Sequence, residues 1–217
     1  MLRVHFTSED LARVRILKEP HPLWEVLLSL HQLQTKQGVV VFGDWRRCAR
    51  MVPRQPTGML TTLARPKGYS PDFLTPSIDA PDLDTALEAL LRTGKRSLRA
   101  DIGLLAAETA LPTWVRGIAD GEVDTLRRLA ESIRRYHAYA LAPHWPAIRA
   151  DVTASRTRRA ELAVTHGLEH MLGTLHPGIR WRDSVLEVPY PVDQDLHLDG
   201  RGLTLVPSFF CWQKPIT

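Results

Sequence analysis

The sequence predicts a mainly α-helical, α+β fold: a helical body with a small antiparallel sheet that joins an N-terminal strand to a C-terminal hairpin. Residues 2–6 alternate apolar and polar side chains, the pattern of a half-buried strand. Near the other end, Asp199 and Gly200 lie between two apolar runs, a strong short-range hairpin signal. Because an isolated hairpin is only marginally stable in water, we expect the two segments to share one sheet.

The segments between these ends carry helix start signals. Thr7 and Asp10 have the spacing of a capping box, in which the two side chains accept hydrogen bonds from each other's backbone amides. Pro22 lies where a first helical turn tolerates proline, and Asp82 is a suitable N-cap for a later helix. Apolar residues at helical spacing predict further helices over about 97–108, 124–140 and 147–172.

Residues 52–81 interrupt this helical pattern with six prolines. Because proline lacks an amide hydrogen and clashes with the preceding turn, the stretch predicts a loop or short helical turns. We therefore interpret residues 1–217 as a single domain that can be divided into sub-lobes 1–51 and 82–217, joined by the proline-rich stretch.

The composition is ordinary for a protein with a hydrophobic core: 44% of the residues are hydrophobic and the net charge is +4. No apolar run is long enough to cross a bilayer, and no signal peptide is visible. Cys48 and Cys211 are too few for a disulfide framework, so we expect a reduced, cytoplasmic environment. The mildly basic balance is compatible with phosphate binding, but it is also common in proteins that bind no nucleic acid.

Six segments of the chain have a distinctive sequence: residues 1–13, 22–25 (PLWE), 68–76 (GYSPDFLTP), 136–137 (YH), 175–181 (LHPGIRW) and 185–217. Together they resemble a group of actinobacterial transcription regulators of the ArsR-like type, which carry a winged-helix DNA-binding domain at the C-terminus. The resemblance extends over nearly the whole chain, and the segments contain no recognisable catalytic motif.

This resemblance implies a domain that lies upstream of the DNA-binding domain and serves as its ligand-sensing or dimerisation module. We therefore expect a winged helix to follow Thr217, with DNA bound only through that downstream domain. A small-molecule effector would favour one arrangement of the winged helices in a homodimer. The resemblance implies no enzymatic activity, no cofactor and no contact with a membrane.

Six residues are candidates for an effector pocket, which we expect between the helical body and the C-terminal hairpin. Aromatic side chains suit such a pocket because they offer flat apolar area with few rotatable bonds. Core packing is the alternative role for the same side chains. Since Tyr136 and His137 are neighbours on one helix, we expect Tyr136 to point inwards and His137 to lie at the rim. The six candidates are Tyr136, His137, Trp145, Trp181, Tyr190 and Phe209.

An alternative function is zinc-dependent hydrolysis. His166, Glu169 and His170 match H-x-x-E-H, the inverted zincin motif, in which two histidines on one helical face bind Zn²⁺ and the glutamate acts as general base. A third protein ligand is needed, and neither Glu161 nor His176 has the expected downstream position. We therefore predict no stoichiometric metal. A structural dimerisation scaffold that binds no ligand is a further alternative.

A second pattern of metal-ligating residue types lies near the C-terminus. Asp193, Asp195, His197 and Asp199 alternate with other residues, which places their side chains on one face of a strand. Successive positions on that face are about 6.6 Å apart, too far for four ligands to reach one ion. The pattern therefore predicts a solvated strand face.

We predict that the 217-residue chain binds DNA weakly and without sequence preference. Its arginines are spread over several helices, so we expect phosphate contacts alone, with a Kd of roughly 10⁻⁴–10⁻⁶ M at physiological salt. Fluorescence anisotropy with two unrelated duplexes should give equal, salt-sensitive affinities. A tight footprint at one sequence that survives competitor DNA would contradict this prediction.

Overall fold

Helices dominate the structure, and a small sheet joins residues from both ends of the chain, so the predicted fold class is confirmed. The structure, a computed structural model, describes the whole chain apart from a few short stretches. The described residues are 1–51, 54–76, 80–190 and 192–212.

The chain folds as two units, one of which is assembled from both ends of the sequence. Unit 1 contains Met1–Pro20 and Arg149–Thr217, and unit 2 contains His21–Ile148. This division differs from the sub-lobes suggested by the prolines, because the described part of residues 52–81 folds within unit 2. The stretch also contains a ten-residue helix, where the prolines predict a loop or short turns.

Unit 2 is helical, and the helices that the sequence predicts from Pro22, Asp82, residue 97 and residue 124 begin within two residues of those positions. The border with unit 1 falls within the long helix α9. The helices of unit 2 are α2 (Pro22–Leu33), α3 (Val39–Ala49), α4 (Arg54–Leu63), α5 (Leu83–Leu91), α6 (Lys95–Glu108), α7 (Val115–Ala119), α8 (Val123–Tyr136) and the start of α9 (Trp145–His166).

The interior of unit 2 is closely packed. Helix α8 packs against α4 and α5, and α2 packs against α3 and α5. A cavity of about 10 Å³ in this interior is lined only by aliphatic side chains, half of them from α2. That volume corresponds to about one water molecule, and a water needs polar partners that the aliphatic lining does not supply.

Unit 1 combines two short helices, the rest of α9 and two small sheets. The larger sheet has the strand order β3-β4-β1-β5, and a second sheet pairs β2 with β6. Leu2, Val4 and Phe6 are buried in the core of unit 1, as the alternation of apolar and polar residues over positions 2–6 predicts. The elements are β1 (Leu2–His5), α1 (Ser8–Ala12), β2 (Arg15–Ile16), α10 (Leu168–Gly173), β3 (Arg180–Arg182), β4 (Val185–Val188), β5 (Gln194–His197) and β6 (Thr204–Leu205).

The larger sheet is mixed, whereas the sequence predicts an antiparallel one. Strand β1 pairs antiparallel with β4 and parallel with β5. The parallel pairing extends past the strand, because the Leu198 amide donates to the His5 carbonyl at 3.2 Å. Both neighbours of β1, strands β4 and β5, therefore come from the C-terminal part of the chain. This confirms the prediction that the two chain ends share one sheet.

The hairpin lies at a different turn from the predicted one. Strands β3 and β4 pair antiparallel across Asp183 and Ser184, whose φ angles of 48° and 62° are those of a type I′ turn. Asp199 and Gly200 also form a tight turn with positive φ. The strands on either side of that second turn pair elsewhere, however, since β5 pairs with β1 and β6 with β2.

A buried carboxylate ties α1 to the loop that follows this second turn. The Thr7 amide donates to Asp10 Oδ2 at 2.9 Å and the Asp10 amide donates to Thr7 Oγ1 at 3.1 Å, so the predicted capping box is confirmed. Asp10 Oδ1 accepts from the Gly202 amide at 2.9 Å. Gly202 has φ of 76°, and a Cβ there would lie 2.5 Å from Arg13 Cβ, so only glycine fits.

The hydrogen bonds at Asp10 keep its carboxylate ionised. Burial alone raises the pKa of Asp10, but the hydrogen bonds from Thr7 and from the Gly202 amide outweigh burial and hold the pKa well below its usual range. The folded protein therefore contains a charged Asp10 whose partners come from both ends of the chain.

We predict that Asp10→Asn destabilises the protein at neutral pH, because an amide accepts these hydrogen bonds less strongly and presents a donor to backbone donors. Since the pKa of Asp10 is lower in the folded than in the unfolded chain, its stabilising contribution is present above the unfolded pKa of about 4 and is lost as the pH falls towards the folded value. Urea unfolding followed by circular dichroism should show a midpoint difference that shrinks between about pH 7 and about pH 3.

Asp151→Asn is the matched control, because Asp151 is an exposed residue of α9. It should leave the unfolding midpoint unchanged at both pH values. An Asp10→Asn protein as stable as the wild type at neutral pH would show that the carboxylate does not hold the loop.

Candidate functional site

The long helix α8 does not continue as a regular α-helix to residue 140. It passes into a π-helical turn, His137–Leu141, and then into a 3₁₀ turn, Ala142–His144. Pro143 contributes to this change because it cannot donate a backbone hydrogen bond. Turns of the π type are rare in proteins, and those that occur are often found at functional sites. This region is therefore the first candidate for a functional site.

The π turn is held by a tryptophan from another helix of unit 2. The indole Nε1 of Trp45, on α3, donates to the Ala140 carbonyl at 2.9 Å, and this hydrogen bond is buried. It supplies a donor to a carbonyl within the irregular turn. The turn is therefore a fixed part of unit 2.

The π-turn site, as we name it, consists of His137 and Trp145. Their ring centroids are 5.1 Å apart and the ring planes meet at 58°. Both side chains are half-buried, and within the described residues neither ring makes a hydrogen bond. Burial lowers the pKa of His137, so its imidazole is neutral at pH 7 and offers one donor and one acceptor nitrogen.

Tyr136, the predicted inward residue, belongs to the core of unit 2. Its side chain is fully buried and its hydroxyl lies 3.1 Å from Ser29 Oγ. Ser29 Oγ donates to the Val26 carbonyl at 2.8 Å, so Tyr136 is the donor in the bond to Ser29. Burial raises the pKa of Tyr136 above its usual range. The ring therefore packs inside the unit, while His137 lies at the surface.

The other three pocket candidates lie in unit 1. Trp181 is half-buried and meets Phe6 edge-on, with ring centroids 5.1 Å apart. Phe209 packs against Phe210 at 5.0 Å. Tyr190 is exposed. The six predicted residues are thus divided equally between the two units, and a pocket that combines them stays a prediction.

The H-x-x-E-H segment does not lie on one continuous helix. Helix α9 ends at His166, and Gly167, with φ of 89°, separates it from α10. The imidazole rings of His166 and His170 still approach each other, with centroids 4.9 Å apart, but both residues are exposed together with Glu169. Among the residues that the structure describes, no group of three or more His, Cys, Asp or Glu side chains is placed to hold a metal ion.

The polar face of β5 pairs with the polar face of β1. His5 Nε2 and Asp195 Oδ1 are 2.7 Å apart, and Arg3 donates to the same carboxylate at 3.2 Å. The rings of His5 and His197 stack at 4.3 Å. The hydrogen bond from His5 lowers the pKa of Asp195. The sequence predicts a solvated face here but does not show that β1 supplies its partners.

Comparison with known proteins identifies no relative: no family model matches the chain, and neither a curated protein nor a solved structure matches it. Within the described part of the chain, no helix is long and apolar enough to cross a membrane. The site must therefore be interpreted from its own chemistry.

We predict that Tyr136→Ala destabilises the protein by about 3–5 kcal/mol, because it opens a cavity in a packed core. Tyr136→Phe, which removes only the hydroxyl, should cost about 1 kcal/mol. Tyr139→Ala is the control, since Tyr139 lies in the π turn but is 61% exposed, and it should change stability by about 0.5 kcal/mol or less. Chemical denaturation measures all three. A Tyr136→Ala protein as stable as Tyr139→Ala would show that this ring is not a core residue.

Proposed function

We propose that this chain is the ligand-sensing domain of an ArsR-like transcription regulator, which would bind DNA through a separate winged-helix domain. The sequence resemblance motivates the proposal. The observation that carries it is the π-turn site, in which a neutral, half-buried imidazole lies beside an indole and neither ring is hydrogen-bonded within the described residues.

The chemistry of the site favours a small effector with an aromatic ring. The faces of His137 and Trp145 offer flat apolar area, and their ring nitrogens can each bind one polar group of the ligand. A neutral imidazole does not repel a cationic ligand and can donate to an acidic one. Ring shape and hydrogen bonding would therefore decide selectivity more than charge.

A ligand at this site would act through the start of α9. Trp145 is the first residue of that helix, and His137 is the first residue of the π turn. A ligand regulates only if its affinity differs between two conformations. Two conformations that differ in the π turn or in the start of α9 would meet this requirement.

The second candidate function is a structural scaffold that binds no effector. Two observations favour it: the Tyr136 side chain is fully buried, and the aliphatic cavity of about 10 Å³ beside α2 is too small for a ligand. The scaffold and the sensor differ in whether the π-turn site binds small molecules.

We predict that at least one member of a panel of bicyclic aromatic acids and phenols raises the thermal unfolding midpoint of the protein. At about 100 times its Kd, such a ligand stabilises the folded state by about 2.7 kcal/mol. His137→Ala and Trp145→Ala should abolish the shift while leaving the protein folded, as judged by circular dichroism.

Trp114→Ala is the matched control, because Trp114 is also a half-buried tryptophan of unit 2 but lies at the start of α7. It should keep the ligand-induced shift. If no compound shifts the wild type, or if the shift survives both site variants, the sensor proposal fails and the scaffold is favoured.

A further inference from the structure

We propose that α9 exposes a docking face for a second copy of this chain and that the two helices pair in parallel as a short coiled coil. This inference concerns a surface of unit 1 and does not rest on the ligand-sensing proposal. It follows from which side of α9 is used within the chain, from the spacing of the residues on the other side and from the charges that flank them.

One side of α9 is buried within the chain. Val152 is fully buried, and further along the helix Leu162 and Ala163 pack against the core of unit 1 around β1. The guanidinium of Arg159 donates to the carbonyls of Thr174 and Leu175 at 2.8 and 3.0 Å. These contacts fix the orientation of the helix, and with it the side that faces away.

The opposite side of α9 carries only uncharged residues along a narrow line. These residues are alternately three and four positions apart, which is the a/d spacing of a coiled coil. All of them are exposed, and Val164 is 88% exposed. A shallow groove of about 370 Å³ lies along the second half of this line, beside Thr157, Ala160 and Val164. The five residues are Ala150, Thr153, Thr157, Ala160 and Val164.

Two opposite charges flank this line at the distance that a parallel pairing requires. Arg156 directly precedes Thr157, and Glu161 directly follows Ala160. Arg156 therefore occupies a g position and Glu161 an e position of the heptad. In a parallel coiled coil, a g residue lies opposite the e residue five places later on the other helix. Arg156 would therefore meet Glu161 of the partner subunit, and the twofold axis would repeat the pair.

The same charges argue against other occupants and other directions. Arg149 and Arg156 are seven positions apart and lie on the same flank of the line. In an antiparallel pairing, this flank would lie against the same flank of the other helix, which places like charges together. Neither Arg156 nor Glu161 makes an ion pair with a described residue of its own chain. Both side chains are thus available for a partner whose charges mirror their own.

The expected dimer is weak. Alanine and threonine let two helices approach closely but bury little apolar area, and the exposed stretch from 150 to 165 is only about 24 Å long. Interfaces of this size belong to transient complexes, so we expect a Kd on the order of 10⁻⁵ M.

Sedimentation velocity of the 217-residue chain tests the proposal. Between roughly 1 and 500 μM, the wild type should pass from monomer to dimer. Arg156→Glu and Glu161→Arg should each weaken the dimer roughly tenfold, because attraction becomes repulsion at two symmetric pairs. The double variant, with both charges exchanged, should recover the wild-type Kd. Arg158→Glu, which reverses an exposed charge away from the line, is the control.

Disulfide trapping tests the direction of pairing. In a Cys48→Ser, Cys211→Ser background, Val164→Cys should form a disulfide-linked dimer on mild oxidation. Residue 164 lies near one end of the line, so it meets its own equivalent in a parallel pair but lies opposite the other end of the line in an antiparallel pair. Thr165→Cys, beside the line, should do so less.

Each remaining outcome would overturn the proposal. A chain that stays monomeric across the concentration range excludes the dimer. A dimer that is insensitive to Arg156→Glu and Glu161→Arg places the interface elsewhere, and a double variant that does not recover excludes the Arg156–Glu161 pairing. Circular dichroism of each variant distinguishes loss of the dimer from loss of the fold.

Discussion

The carboxylate of Asp10 joins the beginning of unit 1 to its end. It closes the capping box with Thr7 and accepts the amide of Gly202, a residue 192 positions later in the chain. The same loop places β6 beside β2 and follows directly on the pairing of β5 with β1. Bringing together two segments so far apart in the chain costs conformational entropy. The charge-assisted hydrogen bonds of Asp10 contribute stabilising free energy at the point where the two segments meet, and so offset part of that cost.

Local features of this fold could be predicted because local chemistry determines them. The Thr7–Asp10 capping box, the burial of one side of β1 and the Asp82 cap of α5 all follow from residues within a few positions of one another. Strand partners are decided by distant segments. The Asp199–Gly200 turn exists as predicted, but its flanking strands pair with β1 and β2, and the hairpin forms at Asp183–Ser184, which lacks the usual glycine.

The candidate site shows the same limit. Helical spacing alone indicates that Tyr136 and His137 cannot both point inwards, and the structure buries the first and leaves the second at the surface. The contact between His137 and Trp145 depends on a π turn, which no sequence period reveals. The sequence does not identify Trp45 as part of the site, because its indole binds the Ala140 carbonyl, a backbone group 95 positions away. Only tertiary structure brings those two groups together.

The position of β1 in the middle of the larger sheet has a consequence for the order in which the protein is made. Its two neighbours, β4 and β5, lie beyond residue 184, so β1 leaves the ribosome long before either of the strands with which it pairs. Unit 2 is a continuous segment, His21–Ile148, whose partners are all synthesised in one stretch. Domains generally fold as units during synthesis. Unit 2 can therefore fold while β1 is still unpaired. During that time the apolar side and the free backbone groups of β1 are exposed, and a chaperone could bind them.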